Sequence, residues 1–221
     1  MKILITGSSK GIGLAVSNYF LLKGFDVIGI DILPPSINNP HYQHFICDIS
    51  NKNNLPDIGD IDYLFNNAGL QNSNDDITNN LVGTINVTKK YGFQKTIKSI
   101  LFNASASARN GFEFDQYVAS KAGVVGYMKH VASLLAKQGV TCNSISLGGV
   151  ITDSNKEVMD DPKLWKQIMD VTPLKKWMSL DEVCEWVYFL LVTNKSMSGQ
   201  DLLIDNGEND LNNTFVWPKA Y

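Results

Sequence analysis

The first 31 residues restrict the fold more than any other stretch of the chain. Lys2–Thr6 reads as a strand, and Thr6-Gly7-Ser8-Ser9-Lys10-Gly11-Ile12-Gly13 follows as a glycine-rich turn. Ile12, Ala15, Val16, Tyr19, Phe20 and Leu22 then recur at helical spacing, with Gly24 as the stop, before a second strand at Asp26–Asp31. Strand, turn, helix and strand in so short a span make a βαβ unit, the building block of a parallel sheet. The alternation continues: further strands are predicted at His44–Asp48, Tyr63–Asn66, Ser99–Asn103, Thr141–Ser146 and Asp201–Asp205. Long helices are predicted at Ile77–Lys98, Asp115–Lys137 and Leu180–Val192, the last opened by a capping box of Ser179 and Glu182.

Two connections look abbreviated. Asp48 and Asp62 are separated by 13 residues that include Pro56 and Gly59, poor material for a helix, so a short turn or 3₁₀ piece is expected there. Gly69 and Asn80 are separated by 10 residues, mostly Asn, Asp and Ser, which run straight into the next helix.

Composition excludes several function classes. With 44% apolar residues the 221-residue chain has material for one full core, whereas 19 basic against 22 acidic side chains lack the positive excess that binding nucleic acid requires. The longest apolar stretch, Trp186 to Val192, is far below the roughly 20 residues of a membrane span. Cys47, Cys142 and Cys184 are odd in number, scattered and set among apolar residues, which suits reduced thiols and a cytoplasmic setting. No Cys/His spacing suggests a metal.

The glycine turn lies where a pyrophosphate meets backbone N–H groups at a helix N-terminus. Asp31 ends the second strand 18 residues after Gly13, in position to accept hydrogen bonds from an adenosine ribose. A carboxylate there repels a 2′-phosphate, and Ile32, not a cation, follows it, so NAD is favoured. Lys10 argues the other way, as a cation able to receive that phosphate, and leaves NADP open.

In Tyr117-Val118-Ala119-Ser120-Lys121 a phenol and an ammonium stand one helical turn apart. An adjacent ammonium favours the phenolate, so the spacing predicts a Tyr117 pKa lowered from about 10 toward neutrality. Ser105, after the strand Ser99–Asn103, is placed to hold a substrate oxygen for Tyr117, with Ser107 as a conceivable substitute.

Together these motifs resemble the short-chain dehydrogenase/reductase family, in particular its 3-oxoacyl-[acyl-carrier-protein] reductase-like branch, over Lys2 to about Gly207. The resemblance implies one three-layer, doubly wound Rossmann-type α/β domain over 1–221, with a seven-stranded parallel sheet. It assigns the Thr-Gly-x-x-x-Gly-x-Gly loop to Thr6–Gly13, with Gly7, Ser9, Lys10, Gly11, Ile12 and Gly13 at the cofactor. The adenine-contacting Asp is similar to Asp48 in Cys47-Asp48-Ile49, and the Asn-Asn-Ala-Gly element stands at Asn66, Asn67, Ala68 and Gly69. Asn80 corresponds to the proton-relay asparagine that positions the lysine through a water, completing a tetrad with Ser105, Tyr117 and Lys121. Lys121 is also implied to bond the nicotinamide ribose.

Leu147-Gly148-Gly149-Val150-Ile151-Thr152 resembles the Pro-Gly-x-x-x-Thr segment, implying nicotinamide-side contacts from Gly148, Val150 and Thr152; Leu147 departs from the pattern. Asn206 replaces the first glycine of Asp-Gly-Gly, a change that Asn tolerates because it accepts positive φ. The family reading is an NAD(P)-dependent oxidoreductase on a ketone or secondary alcohol, working as a homodimer or homotetramer through the helix Asp115–Lys137. The alternative is a dinucleotide-sensing binding protein with little turnover.

Residues 154–176, with Met159, Leu164, Trp165, Ile168 and Met169 at helical spacing, are expected to form a lid. Those side chains either line the substrate site or pack the lid onto the body. Arg109 and Gln71 either add polarity at the cleft rim, Arg109 toward an acidic substrate group, or, as is expected of them first, simply stand on the surface. Residues 208–221 form a tail beyond the last motif, packed across a neighbour or frayed.

Overall fold

In the computed structural model, which describes residues 1–211, the chain builds a seven-stranded sheet with every pair parallel. The strands are β1 (Lys2–Thr6), β2 (Asp26–Asp31), β3 (Tyr42–Ile46), β4 (Tyr63–Asn66), β5 (Ser99–Asn103), β6 (Thr141–Leu147) and β7 (Asp201–Ile204), and they lie in the order β3-β2-β1-β4-β5-β6-β7. Strand order reverses between β1 and β4, and in such sheets the crevice beyond the carboxyl ends at that point is where ligands bind.

The helices are α1 (Gly11–Leu22), α2 (Thr84–Tyr91), α3 (Ser107–Asn110), α4 (Asp115–Leu135), α5 (Lys156–Asp160), α6 (Pro162–Val171) and α7 (Leu180–Tyr188). Alternation along β1 divides the core into two layers. Ile3 and Ile5 pack with Val16 and Phe20 of α1 and Val183 and Val187 of α7. Leu4 faces the other way, into a layer with Val87 and Tyr91 of α2 and Val124, Met128 and Val131 of α4.

Between β3 and β4 the chain makes only a 3₁₀ turn, Lys52–Asn54, as its proline and glycine content predicts. Buried Leu55, Ile58 and Ile61 fill the space instead, and the segment is tied to α2 by Tyr91 Oη donating to the Pro56 carbonyl at 2.6 Å.

Several boundaries differ from expectation: β6 runs one residue past the predicted Ser146, β7 stops one residue before the predicted Asp205, and the helix predicted to Val192 is α-helical only to Tyr188 and continues as a π-helical segment, Phe189–Thr193. The third strand lies at Tyr42–Ile46, two residues before the predicted His44–Asp48, because its register against β2 ends with Ile46 opposite Asp31. Cys47 N then donates to Asp31 O, and Asp48 turns back to accept from Ser50 N. The predicted helix Ile77–Lys98 stops at Tyr91, where Gly92 caps it, and it begins with a π-helical segment, Ile77–Gly83. The helix predicted to Lys137 ends at Leu135 and finishes as a 3₁₀ turn, Ala136–Gln138. The capping box is present: Ser179 Oγ accepts from Glu182 N, and the Glu182 side chain accepts from Ser179 N. Among the described residues no helix is long and apolar enough to cross a membrane. The three thiols are free and buried, and burial pushes Cys142 and Cys184 up to about 12, so both are chemically quiet. Of the tail, residues 212–221 lie outside the described residues.

Candidate active site

The glycine turn joins the end of β1 to α1. Gly7 has φ +70° and Gly11 φ +54°, conformations that disfavour any side chain, and Lys10 precedes the helix in an extended conformation with its side chain exposed. A Cβ at Gly13 would stand 2.0 Å from the Gly7 carbonyl oxygen, so only glycine lets α1 close onto the turn. A Cβ at Gly11 would meet nothing within 4 Å, which shows open space beside the turn. The helix ladder starts with Leu14 N donating to Lys10 O, so the N–H groups of residues 11–13 lie ahead of it. Open space beside free N–H groups at a helix N-terminus fits a pyrophosphate.

Asp31 is buried at the end of β2, its Oδ2 accepting from Ser9 N and its Oδ1 from Leu33 N, both at 2.9 Å. The carboxylate is thus held at the edge of the turn, while Ile32 is exposed. Cys47 and Ile49 are buried and Asp48 is exposed. Ile49 packs against Gly83, where a Cβ would come within 2.7 Å of it.

Asn67 and Ala68 wall the turn on its far side: both backbone N–H groups donate to Thr6 Oγ1 at 3.0 Å. Asn67 Nδ2 donates to Thr6 O at 2.9 Å, and Asn67 Oδ1 accepts from Asn103 Nδ2 at 3.0 Å. The Asn103 carbonyl accepts from Lys121 Nζ at 2.8 Å. A continuous hydrogen-bonded wall therefore runs from the glycine turn to the lysine of α4.

Tyr117 and Lys121 share a face of α4, the ammonium nitrogen 5.7 Å from the centre of the Tyr117 ring. Ser105 is the hydroxyl that acts on the Tyr117 phenol, and its Oγ accepts from Ser107 N and lies 3.0 Å from Ser107 Oγ. Ser105 is accordingly the serine at the phenol, with Ser107 behind it. Asn80, buried in the π-helical segment, donates from Nδ2 to Ser120 Oγ at 3.0 Å and to Leu70 O at 2.8 Å, and its Oδ1 accepts from Leu70 N at 2.7 Å. Asn80 Oδ1 and Lys121 Nζ converge on Gly69, where a Cβ would lie 3.1 and 3.3 Å from them. Single π-helical turns are frequent at functional sites.

The electrostatics reverse the sequence expectation. Burial pushes Tyr117 up to about 12, opposed by the Ser105 hydroxyl, and burial pushes Lys121 down to about 8. Desolvation outweighs the pairing that the one-turn spacing implied, because both groups are largely removed from water. The phenol is therefore set as a proton donor at neutral pH.

Beyond β6, Gly148 packs against Asp205, Val150 is buried and Thr152 is half-buried at the start of a 3₁₀ turn. Asn206 has φ +58°, the conformation expected where it replaces glycine. Trp177 lies on Gly149, and Trp165 of α6 meets it edge-on with ring centres 5.0 Å apart, which seats the lid segment on the body. Met159, Ile168 and Met169 are half-buried and Leu164 is exposed. Arg109 is not at the cleft rim: its Nε and Nη2 donate to Asp201, tying α3 to β7. Gln71 bonds Glu113 at the surface.

Sequence reasoning missed three participants. Thr6 organises the Asn67 wall, the Asn103 carbonyl holds Lys121, and Ser120 couples Asn80 to α4 by donating to Tyr117 O. All three stand inside or beside motifs already singled out, so proximity was the available signal.

A family model described as Enoyl-(Acyl carrier protein) reductase matches residues 7–209. Short chain dehydrogenase ausX of Penicillium brasilianum is 29% identical over 244 residues, covering 92% of this chain and 94% of that protein. The 3-oxoacyl-[acyl-carrier-protein] reductase FabG of Staphylococcus epidermidis is 26% identical over 238 residues, 92% of this chain and 97% of that one. Among solved structures, a 4-hydroxyisoleucine dehydrogenase complexed with NADH superposes with a TM-score of 0.84 at 28% identity, over 94% of this chain and 98% of that chain.

Proposed function

Since the chain belongs to the short-chain dehydrogenase/reductase family and is an oxidoreductase of CH–OH groups and ketones, we propose that Ser105, Tyr117, Lys121 and Asn80 carry its proton transfer beside a nicotinamide dinucleotide. The observation that carries this reading is the wall from Thr6 through Asn67 and Asn103 to Lys121, which joins the glycine turn to the phenol–lysine pair.

A nicotinamide dinucleotide, when bound, supplies or accepts the hydride. The N–H groups of residues 11–13 bind its pyrophosphate, the carboxylate of Asp31 its adenosine ribose, and the segment around Gly148, Val150 and Thr152 its nicotinamide half. Ser105 orients the substrate oxygen, and Tyr117 gives that oxygen a proton during reduction, or takes it during oxidation. Lys121 compensates the charge that develops on the phenol oxygen, and Asn80 fixes the segment beside it.

The half-buried apolar side chains of the lid, Met159, Trp165, Ile168 and Met169, support a substrate with an apolar part, 3-oxoacyl thioesters among them. The exposed small face of α4, with Ala119, Ala122 and Gly126, supports pairing with a second copy of the chain. A panel of ketones and secondary alcohols that includes 3-oxoacyl thioesters, read by the absorbance of the reduced nicotinamide, tests the function. Turnover with at least one member is the expected result. No turnover together with no thermal shift from any of the four nicotinamide dinucleotides would sink it.

The held carboxylate of Asp31 supports NAD over NADP. NAD and NADH are expected to raise the melting temperature more than NADP and NADPH at equal concentration, and Asp31→Ser to narrow the difference. Equal shifts from both cofactors in the unmodified protein would count against Asp31 as the discriminating group.

A further inference from the structure

We propose that Asp76 is a positioning residue of the proton-transfer site, its buried carboxylate acting as the counter-ion that keeps the Lys121 side chain in its ammonium form.

Asp76 immediately precedes the π-helical segment and is completely buried. One carboxylate oxygen is used locally: Oδ1 accepts from Ser73 Oγ at 2.5 Å and from Ser73 N at 3.2 Å. The other, Oδ2, is buried with no hydrogen-bond partner among the described residues. A carboxylate removed from water and left half-satisfied is costly unless a positive charge compensates it.

The geometry supplies one. Asp76 is helical at φ −57° and ψ −40°, and Asn80 stands four residues further on, so both face the same side of this segment. That side meets α4: Asn80 bonds Ser120, and its Oδ1 converges with Lys121 Nζ on Gly69. Lys121 in turn is buried, and its hydrogen bond goes to a neutral carbonyl, that of Asn103.

The titratable groups around the pair are few. Asp76 approaches from the segment before α2, Glu113 from the turn before α4, and Tyr117 from α4 itself. Glu113 and Asp76 both raise Tyr117, and Asp76 is also the charged group that acts on Lys121, opposing its desolvation through space. Loss of the Asp76 charge therefore makes deprotonation of the Tyr117–Lys121 pair easier, whichever member releases the proton.

This inference rests on the proposed roles of Tyr117 and Lys121, but its test does not require turnover. The probe is the lysine Cε carbon resonance of the ¹³C-labelled full-length protein, followed against pH, with the Lys121 signal identified by its loss in Lys121→Arg. In the unmodified protein Lys121 is expected to titrate at about 8, below the surface lysines. In Asp76→Asn, which keeps shape and removes charge, the midpoint is expected to fall by about one further pH unit. The alkaline loss of carbonyl-reducing activity is expected to move the same way. Coincident midpoints in the two proteins would overturn the proposal, even if the variant melts earlier. Should Asp76→Asn not fold, Asp76→Ser carries the same expectation. Should neither fold, the carboxyl carbon of Asp76 in the unmodified protein decides it: a carboxylate at the pH of activity supports the counter-ion role, and a protonated acid overturns it. If Asp76→Asn shifts the lysine while Tyr117→Phe retains turnover, the catalytic reading fails and Asp76 is a counter-ion of Lys121 with no part in proton transfer, which overturns its positioning role.

Discussion

Tyr117→Phe is expected to lower kcat by about 10² to 10⁴-fold, with dinucleotide binding and thermal stability close to those of the unmodified protein. The substitution removes one oxygen and leaves the ring, so the packing of α4 against β5 and the place of Lys121 over the ring are retained. What is lost is the phenol oxygen on which Ser105 acts. With burial holding that phenol near 12, it remains protonated through the neutral range and is ready to give a proton to a developing alkoxide. In the reduction direction, activity should therefore be flat through neutral pH and fall on the alkaline side, where the Tyr117–Lys121 pair loses its first proton. Oxidation needs the deprotonated phenol, so its rate should climb over the same alkaline range. Steady-state rates in both directions, with thermal shift by NADH as the binding control, check this. Full activity in Tyr117→Phe would remove Tyr117 from the mechanism, and a variant that no longer responds to NADH would show a structural role instead.

The strands nearest the site were legible for a simple reason. β1, β2, β4 and β5 are apolar runs ended by Thr6, Asp31, Asn66 and Asn103, polar residues that the crevice needs at those points, so pattern and function marked the same boundaries. β3 was misread because it is an edge strand with half-exposed residues and lacks a clean alternation, and the apolar Phe45–Cys47 drew the prediction two residues late. The excess length given to the helix from Ile77 ignored Gly92, whose missing side chain lets the backbone approach Thr88 O, where a Cβ would stand 2.8 Å away. At the site, the spacing of Tyr117 and Lys121 was visible and their burial was not. Spacing alone predicts a lowered phenol, and burial gives the opposite. Asp76 was hidden for the same reason, since nothing in the Asn- and Asp-rich loop marks which carboxylate turns inward.

Gly13→Ala is expected to cost at least about 1–3 kcal/mol, the range for forcing a methyl group into a filled space, and to abolish stabilisation by NADH. The added carbon would stand 2.0 Å from the Gly7 carbonyl oxygen and 2.7 Å from both Gly7 C and Asn67 Nδ2. None of these can yield cheaply. The Gly7 carbonyl is backbone in a turn pinned by Gly7 N donating to Ile30 O at 2.8 Å, and Asn67 Nδ2 is bonded to Thr6 O. Relief by moving α1 outward would drag Val16 and Phe20, both fully buried, out of the layer they share with Ile3 and Ile5. Relief by displacing Asn67 would break the wall that leads through Asn103 to Lys121, so binding and proton transfer would fail together. Gly11→Ala is the control: it also adds a methyl to the turn, but into open space, and pays only for the positive φ of +54°. At about 2–4 °C per kcal/mol for a chain of this size, the melting temperature of Gly13→Ala should fall clearly further than that of Gly11→Ala. Equal melting temperatures for the two variants, with the NADH response intact in Gly13→Ala, would mean that α1 does not close onto the turn as described, and the pyrophosphate site built on that closure would fall with it.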